Sequence, residues 1–306
     1  MILAFRMALR RALLSTTLVA ALASVPPAAA RPLRDAADKS FGATGKVASF
    51  IQNVNIIDGA DERDSLLAIG PSLGLTPAEI ARIRKVSGHV GCFLPSPSVG
   101  TGALFLTNNQ IITAGHILFD PEGNPRSKCF FRSQDPEPLT IDLVLGRENT
   151  RFGATPPKAG SNQDYAIVRL AEPVPGAEPF PVAATRPIAK GDQLIVITAH
   201  PAGMEREVDA GVPVAQSCTV RRVPISSAAT SFYRTDCDAT GSSSGGMHLS
   251  RIDGELVFRG VTITTGPWRD ESFRGAPYDE RGGSVTTALG TDEEIFEAGT
   301  SLAAGQ

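Results

Sequence analysis

From His89 to Ala288 the apolar residues of this chain come in short runs broken by turn residues, and that spacing constrains the fold more than any other feature. Residues 90–94, 102–107, 110–114, 140–145 and 165–170 are β-branched or apolar segments of strand length, with Asn108-Asn109 placed as a hairpin turn. Strands are expected again at 193–198, 212–221, 256–264 and 284–288. The 30 glycines and 23 prolines punctuate these runs, which is the pattern of an all-β sandwich or barrel. Between the two blocks Pro173, Pro175, Pro179, Pro181 and Pro187 suit an extended connection between domains.

The two ends read differently. Arg6, Arg10 and Arg11, the apolar stretch 12–25 and Ala28-Ala29-Ala30 have the basic, apolar and small-residue regions of an export signal, with cleavage expected after Ala30. Residues 31–74 are polar and irregular. Thr76-Pro77-Ala78-Glu79 offers an N-cap, a proline at the first helical position and a capping-box glutamate, so a helix is predicted over 77–85. Thr291-Asp292-Glu293-Glu294 opens a second helix towards Leu302 in the same way.

Composition excludes some roles. Loss of the three leader arginines leaves a chain three units more acidic than the −3 of the whole, with no basic block, so nucleic acid is not an expected partner. No later apolar stretch has the length of a membrane span. Cys92, Cys129, Cys218 and Cys237 all follow the leader, and an even count in an oxidising compartment suggests two disulfides. Three connectivities are open; pairing neighbours, Cys92 with Cys129 and Cys218 with Cys237, puts one bond in each half and is the expected one. No compact Cys/His spacing of a metal site occurs, and no metal or cofactor is expected.

A serine hydroxyl needs a base to take its proton and a carboxylate to orient that base. His116 closes Ile111-Ile112-Thr113-Ala114-Gly115-His116, where an apolar strand stops at small residues. Asp164 heads Asp164-Tyr165-Ala166-Ile167-Val168-Arg169-Leu170, and Ser244 sits in Thr240-Gly241-Ser242-Ser243-Ser244-Gly245-Gly246. Small residues there let backbone N–H groups approach a substrate oxygen. The same run matches GxSxG with Ser243 as nucleophile, but that fold places its acid and histidine after the serine. Only His248 follows, four residues beyond Ser244. His89 and His200 are read as loop or strand-end residues.

Together, Thr-Ala-Gly-His, Asp-Tyr-Ala-Ile-Val-Arg-Leu, Asp-Cys-Asp and Ser-Gly-Gly resemble the trypsin-like serine proteases, and among them the secreted bacterial branch that includes the glutamyl endopeptidases. The resemblance implies an all-β fold of two antiparallel six-stranded barrels with the active site between them and a C-terminal helix. Residues 1–30 are read as leader and 31–87, low in apolar content, as an extension or pro-segment, cleaved or mobile in the active protein; the resemblance makes 88–180 the barrel with His116 and Asp164, and 181–306 the barrel with Ser244. It further implies a secreted, monomeric serine endopeptidase acting on proteins or peptides, with His116, Asp164 and Ser244 as triad and the N–H groups of Ser242 and Ser244 as oxyanion hole.

Two departures stand out: Ser242 replaces the family's glycine, and Ser243 its Asp or Asn. A protease-like domain that binds peptides without cutting them is the alternative that Ser242 keeps open. Asp238, six residues before Ser244, falls where relatives form the floor of the pocket for the residue preceding the cut bond, which would favour Arg or Lys; the other role open to it is to accept backbone hydrogen bonds. Thr262, Ile263 and Thr264 occupy the strand on which the glutamyl branch carries a histidine that helps to read acidic residues, and its absence argues against glutamate.

Overall fold

In a computed structural model, residues 55–199, 201–204, 208–223, 232–265, 274–281 and 283–305 are described. The leader and residues 31–54 lie outside them, as does His200. The described chain opens with two short strands, β1 (Ile56–Ile57) and β2 (Asp64–Ser65), and two helices, α1 (Leu66–Ile69) and α2 (Pro77–Val86). In α2 the Thr76 hydroxyl accepts from Glu79 N while the Glu79 carboxylate accepts from Thr76 N, the reciprocal cap expected from the sequence.

The first barrel follows, built from β3 (Ser87–Leu94), β4 (Ser98–Leu104), β5 (Gln110–Ala114), β6 (Ser127–Ser133), β7 (Thr140–Val144), β8 (Thr150–Phe152) and β9 (Tyr165–Leu170). Six strands run in the antiparallel order β5-β4-β3-β6-β7-β9, the pairing of β5 with β9 closes the ring, and β8 lies outside on β9. Ile111, Ile112, Ile167 and Val168 are wholly buried in it, each stabilising the fold by roughly 1.5–3 kcal/mol through loss of apolar surface to water. Cys92 and Cys129 face each other across β3 and β6 and are bonded. The turn between β4 and β5 begins sooner than its asparagines suggest: Phe105 N already donates to Gln110 O and Leu106 takes the positive φ.

Residues 171–192 carry no strand, in keeping with their prolines. The second barrel comprises β10 (Gln193–Ala199), β11 (Pro213–Arg222), β12 (Phe232–Thr235), β13 (Met247–Ile252), β14 (Glu255–Thr265) and β16 (Thr286–Gly290), in the order β10-β13-β14-β16-β12-β11 with β10 pairing β11 to close. The remaining strand, β15 (Arg274–Ala276), pairs in parallel with β1. Cys218 is bonded to Cys237. Both closed barrels remove the exposed edges that an open sheet of this length would present.

The chain ends cross over. β2, which precedes the first barrel, pairs with β11 of the second. Conversely α3 (Glu293–Ala303), which follows the second barrel, packs on the first: Gly299 sits against Phe105, and Gln110 Nε2 donates to Gly299 O. The cap of α3 is Asp292, whose carboxylate accepts from Ile295 N, one residue later than the sequence suggests. Thr291 is instead drawn into the core, its N–H donating to Arg259 O. From Asn55 onward the supposed loose extension is therefore packed structure, since Ile56, Ile57, Leu66, Leu75, Ile83 and Val86 are all buried. Among the described residues no helix is long and apolar enough to cross a membrane.

Candidate active site

The pairing of β5 with β9 makes the first half of the site. Ala114 and Tyr165 are register partners, so the residue two beyond Ala114 and the residue just before Tyr165 must lie side by side. They are His116 and Asp164. A short 3-10 turn, Gly115–Leu118, lifts His116 off the sheet, anchored by the buried Ile117 and Leu118. His116 Nδ1 lies 2.8 Å from Asp164 Oδ2. The carboxylate is wholly buried, and among the described residues its hydrogen bonds are all with donors: its Oδ1 accepts from His116 N at 2.9 Å and its Oδ2 from Gly160 N at 2.8 Å. An ionised carboxylate only accepts, so the imidazole proton sits on Nδ1 and Nε2 is left as a base. That Nε2 is 3.1 Å from Ser244 Oγ.

Ser244 is carried by the loop between Asp238 and β13, and Thr101 of the first barrel holds that loop through both its backbone and its side chain. Buried Thr101 donates its N–H to Ser244 O at 2.7 Å and its hydroxyl to Ser242 O at 3.0 Å, while accepting from Ala199 N of the second barrel at 2.9 Å. Nothing in the sequence reading singled out Thr101. The approach is close enough that a β-carbon on Gly245 would fall 1.8 Å from Thr101 O, at a φ of +81°; only glycine fits there. Ser243 is buried and closes the loop on itself, its Oγ accepting from Thr240 N and its N–H donating to Thr240 O. Ser244, not Ser243, therefore faces the histidine.

Among the described residues three donors of this loop remain available, the N–H groups of Gly241, Ser242 and Ser244. Ser243, Gly245 and Gly246 spend their N–H groups on Thr240 O, Thr262 O and Ser243 O. Among the described residues the N–H groups of Ser242 and Ser244 have no such partner. Ser242, standing where related sequences have glycine, takes φ +68°. A residue with a β-carbon pays roughly 1–2 kcal/mol for that left-handed conformation. Ser242→Gly is accordingly expected to raise unfolding stability by about 1 kcal/mol without lowering turnover. Denaturant titration beside an activity assay checks this, and a destabilised Ser242→Gly would contradict it.

The expected specificity residues fare differently. Asp238 is buried and its two carboxylate oxygens accept from Ile57 N at 2.7 Å and Glu62 N at 2.9 Å, both in the N-terminal segment. Its pKa is pushed up to about 6 by burial, opposed by those two bonds. The carboxylate thus accepts backbone hydrogen bonds, the other of the two roles open to it. Thr262 and Ile263 are buried as well, and Thr264 alone of the three is partly exposed. His248 is buried between Tyr233 Oη, 2.7 Å from its Nδ1, and Thr262 Oγ1, 2.8 Å from its Nε2. Burial pushes its pKa down to about 3, so it stays neutral. Among the described residues no cluster of His, Cys, Asp or Glu could hold a metal ion.

The pattern of the trypsin-like peptidase domain matches residues 100–257, just over half of the chain and inclusive of His116, Asp164 and Ser244. No curated protein sequence matches. Among solved structures, a Glu endopeptidase is similar over 82% of this chain and 100% of its own, with a TM-score of 0.59 at 13% identity. A thermostable serine protease from an extremophilic microorganism covers 72% of this chain and 99% of its own, with a TM-score of 0.53 at 15% identity. Protease Anisep from Arthrobacter nicotinovorans covers 72% and 96%, with a TM-score of 0.52 at 17% identity. At these identities the likeness is one of fold.

Proposed function

Because the chain belongs to the trypsin-like peptidase family, we propose that it is an exported serine endopeptidase that cuts peptide bonds through an acyl-enzyme at Ser244. The observation that carries this reading is the continuous hydrogen-bonded line Asp164, His116, Ser244. Ser244 Oγ attacks the carbonyl carbon as its proton passes to His116 Nε2, and buried Asp164 stabilises the imidazolium that forms. The N–H groups of Ser242 and Ser244 receive the oxyanion. Collapse of that intermediate breaks the C–N bond, with the proton handed from His116 to the leaving amine. Water then repeats the sequence against the ester and frees Ser244.

Export is supported by the leader-like first thirty residues together with two disulfides. The commitment of both Asp238 oxygens to backbone donors argues against that residue selecting Arg or Lys before the cut bond. Digestion of an unfolded protein, followed by sequencing of the new termini, tests the proposal. The expected result is cleavage at internal bonds, with a residue preference that Asp238→Asn does not alter. Release of single terminal residues only, or no cleavage, would contradict it.

A further inference from the structure

The segment just ahead of the first barrel touches the nucleophile loop at four places in nine residues. Asn55 N donates to Ala239 O at 2.8 Å and Ala239 N to Asn55 O at 3.0 Å, a two-bond bridge. Ile57 N and Glu62 N fill the two oxygens of Asp238. Arg63, whose side chain is 2% exposed, donates Nη1 to Thr240 Oγ1 at 2.7 Å. Two of its other donors are fixed by Asp61, which accepts from Nε at 2.8 Å and from Nη2 at 2.7 Å. Residues 238, 239 and 240 are thus gripped in succession.

Those three residues lead directly into the catalytic loop. Thr240 N and Thr240 O hold both the hydroxyl and the N–H of Ser243, the residue between the two oxyanion donors. From the other side Gln216 brackets Asp238, donating Nε2 to its carbonyl at 2.6 Å and accepting from its N–H at 2.8 Å. A shift of Thr240 would move Ser242, Ser243 and Ser244 together relative to His116.

We propose that the segment from Asn55 to Arg63 is a positioning element for catalysis, with Arg63 and Asp238 as positioning residues that set the nucleophile loop through Thr240. The role rests on the reading of Ser244 as nucleophile. It assigns Asp238 to the enzyme's own N-terminal segment instead of to substrate. It also bounds processing: any cut that matures the protein falls upstream of Asn55, because a cut beyond it removes part of this grip.

Variants of the complete exported protein test this with a readout that a purely stabilising contact would not move. Thr240→Val keeps the shape of the side chain and removes the acceptor for Arg63, whereas Thr240→Ser keeps the hydroxyl. Thr240→Val is expected to lower kcat and the rate of inactivation by a fluorophosphonate about tenfold or more, since ångström-scale misplacement of reacting groups costs up to about 10²-fold. KM should stay within about twofold, and Thr240→Ser should recover most of the loss. Arg63→Ala should reproduce the kcat loss and add nothing to Thr240→Val; should it not fold, the two Thr240 variants decide alone. A folded Thr240→Val with the parent's kcat, or Thr240→Ser as impaired as Thr240→Val, overturns the positioning role while leaving Ser244 in place. A parent protein that the phosphonate fails to label removes the catalytic reading, and the positioning role with it.

Discussion

Ser244→Ala is expected to lower kcat by about six orders of magnitude and to leave the fold unchanged. The large figure follows from the triad acting as a unit, so that loss of the nucleophile costs about as much as loss of all three members. The residual rate, still about 10³-fold above water, comes from binding and from the oxyanion donors. Ser244 is partly exposed and its Oγ is bonded only towards His116 Nε2 among the described residues, so its removal opens no cavity. Ser243→Ala acts elsewhere. It strips the acceptor from Thr240 N in a buried turn, at a cost of about 1–3 kcal/mol of stability. Rates and denaturation midpoints of the two variants separate the roles; full activity in Ser244→Ala would refute the assignment.

Asp164→Asn is expected to lower kcat by about 10⁴-fold. The cause lies in the three donors that converge on this carboxylate: His116 N on one oxygen, His116 Nδ1 and Gly160 N on the other. An amide cannot satisfy them in either orientation. With its NH₂ group towards His116 Nδ1 it forces that nitrogen to accept, which moves the imidazole proton to Nε2, where it faces Ser244 and cannot take a further proton. With its NH₂ towards His116 N, two donors collide in a wholly buried position. Single-turnover rates with an ester substrate measure the effect, and a loss below about tenfold would show that the carboxylate is not orienting a catalytic base.

The parts that were legible in the sequence share one physical property: their chemistry is local. The strands at 110–114 and 165–170 coincide with β5 and β9 because the runs Ile111 to Ala114 and Tyr165 to Val168 are β-branched or apolar and bury both faces there. His116 and Asp164 were readable because each sits where such a strand ends, and the α2 cap because Thr76 and Glu79 meet across one turn. Strands β6, β8, β12 and β13 gave no such signal. Lys128 and Arg132 in β6, and His248, Ser250 and Arg251 in β13, break any alternation, yet both strands are paired on either side in their barrels and bury most of their residues. Tertiary context overrode the local pattern.

What the sequence left open is non-local in the same sense. Thr101 is one threonine among many until the two barrels meet and place it between Ser242, Ser244 and Ala199. Asp238 looks like a pocket floor when counted back from Ser244, but its partners lie 181 and 176 residues away in sequence. The segment from Asn55 looked expendable because it is polar, yet it supplies backbone donors and a buried Arg63, paired with the partly exposed Asp61, instead of a solvated tail.

The central claim is that one serine, activated by His116, performs the chemistry. Its most direct test is to incubate the exported protein with a fluorophosphonate and locate the adduct by peptide mass spectrometry. The account predicts one adduct per chain, on Ser244, abolished in His116→Ala although Ser244 is still present. An adduct on Ser242 or Ser243, an undiminished adduct in His116→Ala, or a folded protein that binds peptides and takes up no reagent would contradict it.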